Sequence, residues 1–501
     1  MLAAVTFRRM TDTLTRLKTV YRHTYPHLPV ALQNAALGTV GWHNDLTVRG
    51  RGFARLLAEY EARSFADSLD IQELRDARLR AFVLHAYRTV PYYRELLDKV
   101  GLRPQEVATL DDLALLPITS RADVQERRSE FLSSSVRRRS RKLLSTSGST
   151  GSGLIVATTL GAVQEQWATW WRYWHWHGIE RGTWNAILGS PSAVSPFQQA
   201  PPFWRYNRPG RELVFSSLHT SFENLRYYVA ELRRKKPPWL SGLASQLALI
   251  ASYLIETKTD LGYEVRWVTT SSENLLPMHA ELIEKAFGVR PKQHYGMAEA
   301  IANFSECEKG KLHVDEELGA AEFIPISGNL YRVVGTNMSN PAMPLIRYEC
   351  NDHVTIDPGE SCLCGRPGRV VTLIDGRQDD YVVLKSGVRL GRLDRIFYGF
   401  PNIREAQIRQ AIIGEIQVLV QVGADYTKED ESLLRAAITK TIYDDSKVTI
   451  DYVDEIERTA SGKLRFVLST VEAEDVVGYE VLPPPQMPAF ESTGPTSSDR
   501  P

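Results

Sequence analysis

Between residues 181 and 350 the chain alternates short β-rich pieces with helical ones. The pieces "WNAILGS", "WVTTSSE" and "LYRVVGT" are β-like, whereas "SFENLRYYVAELRRKK", "LASQLALIASYLIE" and "MHAELIEKAFG" read as helices. Such alternation leaves few solutions, because a strand–helix–strand unit runs parallel and lays its helices over the sheet. The expected fold class is therefore α/β. Upstream, "IQELRDARLRAFVLHAYRTVPYYRELLDKVG" (71–101) reads as a helix running up to Pro91 and a second helix after it. From about residue 380, "DYVVLKSGVRLGRLDRIFYGF", "AQIRQAIIGEIQVLVQVGA" and "KVTIDYVDEI" read as a small α+β unit. At 501 residues the chain exceeds a single core. The expected division is a helical extension over 1–70, a large domain over 71–378, a small one over 379–480 and a Pro/Ser-rich disordered tail over 481–501.

Charge excludes some classes of function. Lys+Arg and Asp+Glu balance at 60 each, which argues against a general nucleic-acid binder. No apolar run approaches the roughly 18–20 residues of a membrane span. The first residues, "MLAAVTFRRMTDTL", make a poor secretory signal and read as an amphipathic first helix, with a transit peptide as the alternative. Only four cysteines are present, so a disulfide scaffold is not expected and the expected location is the cytoplasm.

Several stretches carry chemistry. The run Ser145–Gly153 consists of Ser, Thr and Gly and is followed by Leu154, Ile155 and Val156. Successive N–H groups and hydroxyls in such a loop can surround phosphate oxygens, although a plain flexible turn has the same composition. No Gly-Lys-Ser/Thr follows, so it is not a Walker A loop. The basic run "VRRRSRK" (136–142) just before it is either a solvated face or a phosphate-steering patch. In "KQHYGMAEA" (292–300), Glu299 is either a helix-capping charge or a carboxylate placed to hold Mg²⁺ beside substrate phosphates. Asp352 follows a β run in "PLIRYECNDHVTI", where its carboxylate can accept two ribose hydroxyls. Gly376, Arg377, Asp379 and Asp380 lie in "IDGRQDDYVVLKSG", at the expected domain joint. Lys463 lies in a small-residue turn in "ERTASGKLRF". Trp167, Trp170, Trp171 and Trp174 fall at helical spacing, read as a buried helix face, with a substrate-pocket wall as the alternative.

In this order the stretches resemble the adenylate-forming superfamily of acyl- and aryl-CoA ligases, adenylation domains and luciferases. Within it, "AYRTVPYYRELL", "MPLIRYECND" and "CLCGRPG" look most like the phenylacetate–CoA ligase and capsular-polysaccharide-protein branch. The resemblance covers roughly residues 70–470. It implies a large multi-subdomain adenylating domain and a small mobile α+β domain, with ATP, Mg²⁺ and, as acyl acceptor, coenzyme A. Thr146, Ser147, Gly148, Ser149, Thr150 and Gly151 match the loop that closes on the β- and γ-phosphates. Tyr295 matches the residue packing on adenine, Glu299 the Mg²⁺ ligand, Asp352 the ribose ligand assisted by Arg377, and Asp379 the hinge. Lys463 matches the lysine bridging carboxylate and α-phosphate; with Glu299 and Thr150 it makes the implied catalytic set. The implied nucleotide site also takes in Ser272, Glu273, His294, Gly296, Met297 and Ala298. The stretches 241–245 and 270–274 match the acyl-binding walls.

The chain departs from the pattern at three places. Gly153-Leu154 stands where Pro-Lys usually ends the loop, removing a phosphate-facing cation. Ala298 lacks the hydroxyl usual before the glutamate. Asn351 replaces the glycine before the ribose aspartate.

Cys307-x5-His313 and Cys362-x-Cys364 have the spacing of a Cys₃His zinc site, and four protein ligands would make the metal structural. The alternative is four unrelated residues. Cys350 is left over as a small buried residue.

The expected activity is ATP-dependent adenylation of a carboxylic acid, followed by acyl transfer to coenzyme A. The alternatives are another acceptor (an amine, a sugar-linked group or a carrier protein) and a non-catalytic nucleotide-binding homologue.

Overall fold

The computed structural model describes residues 24–145, 154–190, 193–357, 359–377, 381–391, 393–397, 400, 402–442, 446–459, 462–471 and 478–480. The expected phosphate loop over 146–151, Asp379, the side chain of Arg377, the first 23 residues and the tail over 481–501 lie outside them.

The chain enters through helices α1 (Val30–Thr47), α2 (Arg51–Ala62), α3 (Ser68–Thr89) and α4 (Pro91–Val100). Asp67 caps α3 by accepting from the Leu69 N–H. The break between α3 and α4 falls at Pro91, which opens α4 where its missing N–H costs nothing. The short α5 (Arg121–Glu126) starts in a capping box of Ser120 and Asp123. A hairpin of β1 (Lys142–Ser145) and β2 (Ile155–Thr158) brackets the Ser/Thr/Gly run. The basic run before it folds back on itself, with Arg141 donating to the carbonyls of Val136 and Ser133.

Helix α6 (Leu160–Trp176) carries the tryptophans. Trp171 is buried, and with Trp167 and Trp174 it packs on Phe53 and Leu57 of α2, so the stripe is chiefly core. The described part of the extension thus covers the large domain.

The alternation follows, with β3 (Asn185–Ser190), β4 (Trp204–Asn207), β5 (Glu212–Ser216), α7 (Leu225–Lys235), β6 (Trp239–Gly242), α8 (Ala244–Glu256), β7 (Trp267–Thr270), α9 (Pro277–Phe287) and β8 (Lys292–Gly296); of these, β3, β7 and the three helices match the pieces quoted above. After β8 it stops. The strands β9 (Asn303–Glu306), β10 (Leu312–Val314), β11 (Ala320–Ser327), β12 (Leu330–Thr336), β13 (Tyr348–Thr355), β14 (Val370–Val371) and β15 (Leu373–Arg377) follow without a helix between them. Turns replace helices there, and neighbouring strands therefore run antiparallel. A nine-stranded sheet has the order β14-β10-β9-β8-β7-β6-β3-β5-β4, and β11-β12-β13-β15 form a second sheet. Strands β5, β3, β6, β7 and β8 are mutually parallel, so their carboxyl ends share one edge. Leu188, Phe215, Leu240, Leu247 and Ile283 form the core between this sheet and its helices.

The remainder is β16 (Tyr381–Val383), β17 (Val388–Gly391), β18 (Ile403–Ile412), β19 (Glu415–Val422), α10 (Lys428–Ile442), β20 (Lys447–Tyr452), β21 (Val467–Ser469) and β22 (Gly478–Glu480). It forms two sheets, β16-β17-β22 and β20-β19-β18-β21, around their own core of Val382, Phe397, Ile408, Val418 and Leu434. Met278 of α9 joins that core, so the small unit rests on the large one. Among the described residues no helix is long and apolar enough to cross a membrane.

Candidate active site

Parallel sheets gather loops at the carboxyl ends of their strands, where ligands bind. Here that edge carries the turn after β5 (Ser217), the start of α8 after β6 (Ser245), Ser272 and Glu273 after β7, and Tyr295 to Glu299 at the end of β8. The edge is tightly drawn together. Gly242 ends β6 at φ +147°, and a Cβ there would lie 1.7 Å from the Leu188 carbonyl oxygen. Only glycine lets β3 and β6 approach so closely.

Tyr295 and Asp352 meet although they lie on different sheets. The Tyr295 hydroxyl donates to Asp352 Oδ2 at 2.5 Å. The Tyr295 ring stacks on Phe304, with centroids 4.6 Å apart and planes at 14°. Burial, then the Asp352 charge, push the phenol well above its ordinary range, so it stays a donor. Asp352 is the register partner of Arg377 on β15. Cys350 lies 3.6 Å from the Tyr295 hydroxyl, so the leftover cysteine belongs to this site. Burial holds its thiol well above the usual value and keeps it neutral. Glu299 is 8% exposed and close enough to Cys350 and Tyr348 to raise both. Its carbonyl accepts from Asn337 Nδ2. Met297 is held by its carbonyl, which accepts from Gln166 Nε2.

His294 and Tyr295 point to opposite faces of β8, as adjacent strand residues do. The His294 ring packs between Trp170 and Tyr173, and burial lowers its pKa to about 4. It therefore does not share the face of Tyr295 with Asp352. Asn303 braces the next residue: it accepts from Trp170 Nε1 at 3.0 Å, and a Cβ on Gly296 would lie 2.6 Å from its Oδ1. Asn303 in turn donates to Asp315, which pairs with Arg172 at 2.6 Å. Around this pair Glu316 meets Arg75 and Arg369, and Glu317 meets Arg172 and Arg63. No sequence pattern announced this buried ionic layer.

Ser272, within the candidate set, and Ala300 and Asn351, beside it, are non-glycine residues with positive φ, at 68°, 54° and 62°. Asn351 stands where the resembled family has glycine, and asparagine is among the residues that best tolerate that conformation.

The turn carrying Lys463 belongs to the small unit and docks on this same edge. It is closed by the Gly462 N–H on the Thr459 carbonyl at 2.8 Å and the Thr459 N–H on the Lys463 carbonyl at 3.0 Å. Gly462 has φ +78°, and a Cβ there would lie 2.3 Å from the Ser217 side chain. The Leu464 N–H donates to Glu273 Oε1 at 2.9 Å. Glu273 therefore reaches the Lys463 turn.

Cys307, His313, Cys362 and Cys364 offer ligand atoms that all lie within 4.8 Å of one another. His313 Nδ1 bonds the Pro367 carbonyl at 3.0 Å and Nε2 faces Cys364 Sγ at 3.3 Å, the orientation that frees Nε2 for a metal. Burial raises the Cys307 thiol, but hydrogen bonds from His313 and from the Lys311 and Lys309 backbone outweigh it and bring it to about 6. The donor set and its geometry fit a tetrahedral metal ion.

Comparison with known proteins places the chain beside several relatives. Residues 383–470 match the CapK C-terminal domain. Protein CapK of Staphylococcus aureus is 24% identical over 460 residues, covering 89% of this chain and 99% of CapK. Phenylacetate-coenzyme A ligase of Thermus thermophilus is 24% identical over 455 residues, covering 79% of this chain and 96% of the ligase. Among solved structures, 2-hydroxyisobutyryl-CoA ligase in the postadenylation state, in complex with R3-HIB-AMP, superposes with a TM-score of 0.64 at 17% identity, over 82% of this chain and 92% of that one. The protein is a homologue of CapK and of the phenylacetate-coenzyme A ligases, built on the fold of the adenylate-forming CoA ligases.

Proposed function

We propose that the protein activates a carboxylic acid with ATP and passes the acyl group to coenzyme A. The observation that carries this reading is the convergence of Tyr295–Glu299, Ser272–Glu273 and the Lys463 turn on one sheet edge, with Asp352 tied to Tyr295. In the first step a carboxylate oxygen attacks the α-phosphorus of ATP and the bond to pyrophosphate breaks, leaving acyl-AMP. Two anions approach each other, and the Lys463 ammonium offsets that repulsion. Asp352 accepts the ribose hydroxyls and Glu299 holds Mg²⁺, which supplies charge neutralisation at the phosphates. In the second step the thiolate of coenzyme A attacks the acyl carbon and AMP leaves. The division between the units falls at 378/379, with Asp379 as the hinge that withdraws Lys463. Cys307, His313, Cys362 and Cys364 hold a structural Zn²⁺.

Acid-dependent ATP–pyrophosphate exchange tests the reading, with phenylacetate and 2-hydroxyisobutyrate first in an acid panel. The reading predicts exchange with at least one acid, and silence across the panel overturns it.

A second reading keeps adenylation and changes the acceptor. It is favoured by the match of residues 383–470 to CapK, because the small unit would present the acceptor. Exchange without thioester on adding coenzyme A selects it.

A further inference from the structure

We propose that Glu273 is a positioning residue that holds the Lys463 turn against the large domain in the orientation that forms the adenylate. This rests on the reading above.

The first observation is what Glu273 does to α8. That helix begins at Ala244 after Leu243, whose side chain cannot cap it. Glu273, from the loop after β7, supplies the cap from outside: Oε2 accepts from the Ser245 N–H at 3.0 Å and Oε1 from Ser245 Oγ at 3.2 Å. A carboxylate is favoured at a helix N-terminus, so α8 fixes the direction of the side chain. The same Oε1 accepts from the Leu464 N–H, one residue past Lys463. The large domain thus offers a preset carboxylate, and the small unit brings the amide that fits it.

The second observation is that Arg458, on the same turn, closes the arrangement from the other side. Its Nη1 donates to Ser245 Oγ at 2.9 Å and to the Gly462 carbonyl at 3.3 Å. Its other nitrogen pairs with Glu405, a buried carboxylate of β18. Burial raises Glu405, and Arg458 opposes that rise. Breaking the contact therefore exposes a guanidinium whose partner stays on the small unit. At the far end of α8, Glu256 pairs with Arg404 of β18, whose guanidinium lies 3.7 Å from the Phe222 ring centroid. Both ends of one helix grip the small unit, but only the Glu273 end touches the Lys463 turn.

This assigns to Glu273 a role distinct from contact with the nucleotide, and the two roles separate in kinetics. A group that binds ATP changes KM, whereas a group that sets the geometry of Lys463 changes the maximal rate. For E273A the expected result is a maximal exchange rate down about tenfold to a hundredfold with KM for ATP within about twofold, the size of loss that follows a small misplacement of a reacting group. E273Q keeps one acceptor oxygen of two and falls between wild type and E273A. Native-state amide exchange gives a readout that needs no activity. In E273A the amides of 459 and 462–466 exchange roughly tenfold faster, while β3, β6 and β7 keep their protection. S245A, which removes only the hydroxyl joining Glu273 to Arg458, shows the same local change more weakly and serves where E273A does not fold. A raised KM at unchanged maximal rate, or unchanged amide exchange at 459 and 462–466 in these variants, overturns the proposal. Wild-type silence across the acid panel overturns the adenylation reading instead, and the amide-exchange comparison still decides whether Glu273 holds the turn.

Discussion

The hydroxyl of Tyr295, at the end of β8, donates a 2.5 Å hydrogen bond to the carboxylate of Asp352 on β13. Two sheets are joined by this bond. The Tyr295→Phe variant removes the donor and keeps the ring on Phe304. A hydrogen bond to a charged group contributes about 1.5–3 kcal/mol to stability, so the variant unfolds more easily by about that amount, and KM for ATP rises because Asp352 is no longer held in place. Steady-state exchange kinetics read this directly.

Lys463 is half-buried on a turn closed by its own backbone. Lys463→Ala is expected to abolish acid-dependent pyrophosphate exchange while leaving the thermal midpoint within a few degrees. Undiminished exchange would remove Lys463 from the mechanism.

Gly462 presents no side chain to Ser217, and its φ of +78° suits glycine. Gly462→Ala adds a Cβ 2.3 Å from the Ser217 side chain and lifts the turn off the edge. Exchange falls by at least about tenfold, and circular dichroism stays unchanged because the turn lies outside both cores.

The cysteine cluster predicts about one equivalent of zinc in purified protein, measured by mass spectrometry of metals. Cys364→Ser loses the metal and lowers the thermal midpoint. Chelation does the same to wild type. Release strengthens as pH falls, because the thiolate ligands must take up protons to leave.

Buried ion pairs cost most when one partner is removed. Asp315→Ala leaves Arg172 with one of its two carboxylates and frees Asn303, costing about 3–5 kcal/mol in urea unfolding. Burial raises Glu316, yet Arg369 and Arg75 overcome this and hold its carboxyl below the ordinary value of 4.5. Its contribution to stability is therefore complete above about pH 4.5 and fades as pH falls through the lower folded value. Glu316→Gln flattens that part of the acid limb.

The sequence by itself determined the strongly patterned elements and the α/β class. Period-two and period-3.6 patterning depends on neighbours a few residues away, so β3, β7, the helices α7 to α9, the break at Pro91 and the buried tryptophan face of α6 were legible, whereas β4, β5 and β6 were not singled out. The proximity of Cys307, His313, Cys362 and Cys364 was legible too, from the spacing of the two pairs, which lie within ligand distance of one another in space. The antiparallel run from β9 to β15 was less legible, since short apolar strands give no signal of which neighbour they will take. Only the tertiary structure decided that Glu273 meets Leu464 across 191 residues, that Asp352 meets Tyr295, that His294 turns away from them, and that Arg172 finds Asp315 and Glu317. Such contacts depend on strand order and sheet edges, which fix neighbours far apart in the chain. A hydrogen bond between distant residues leaves no periodic trace in either segment.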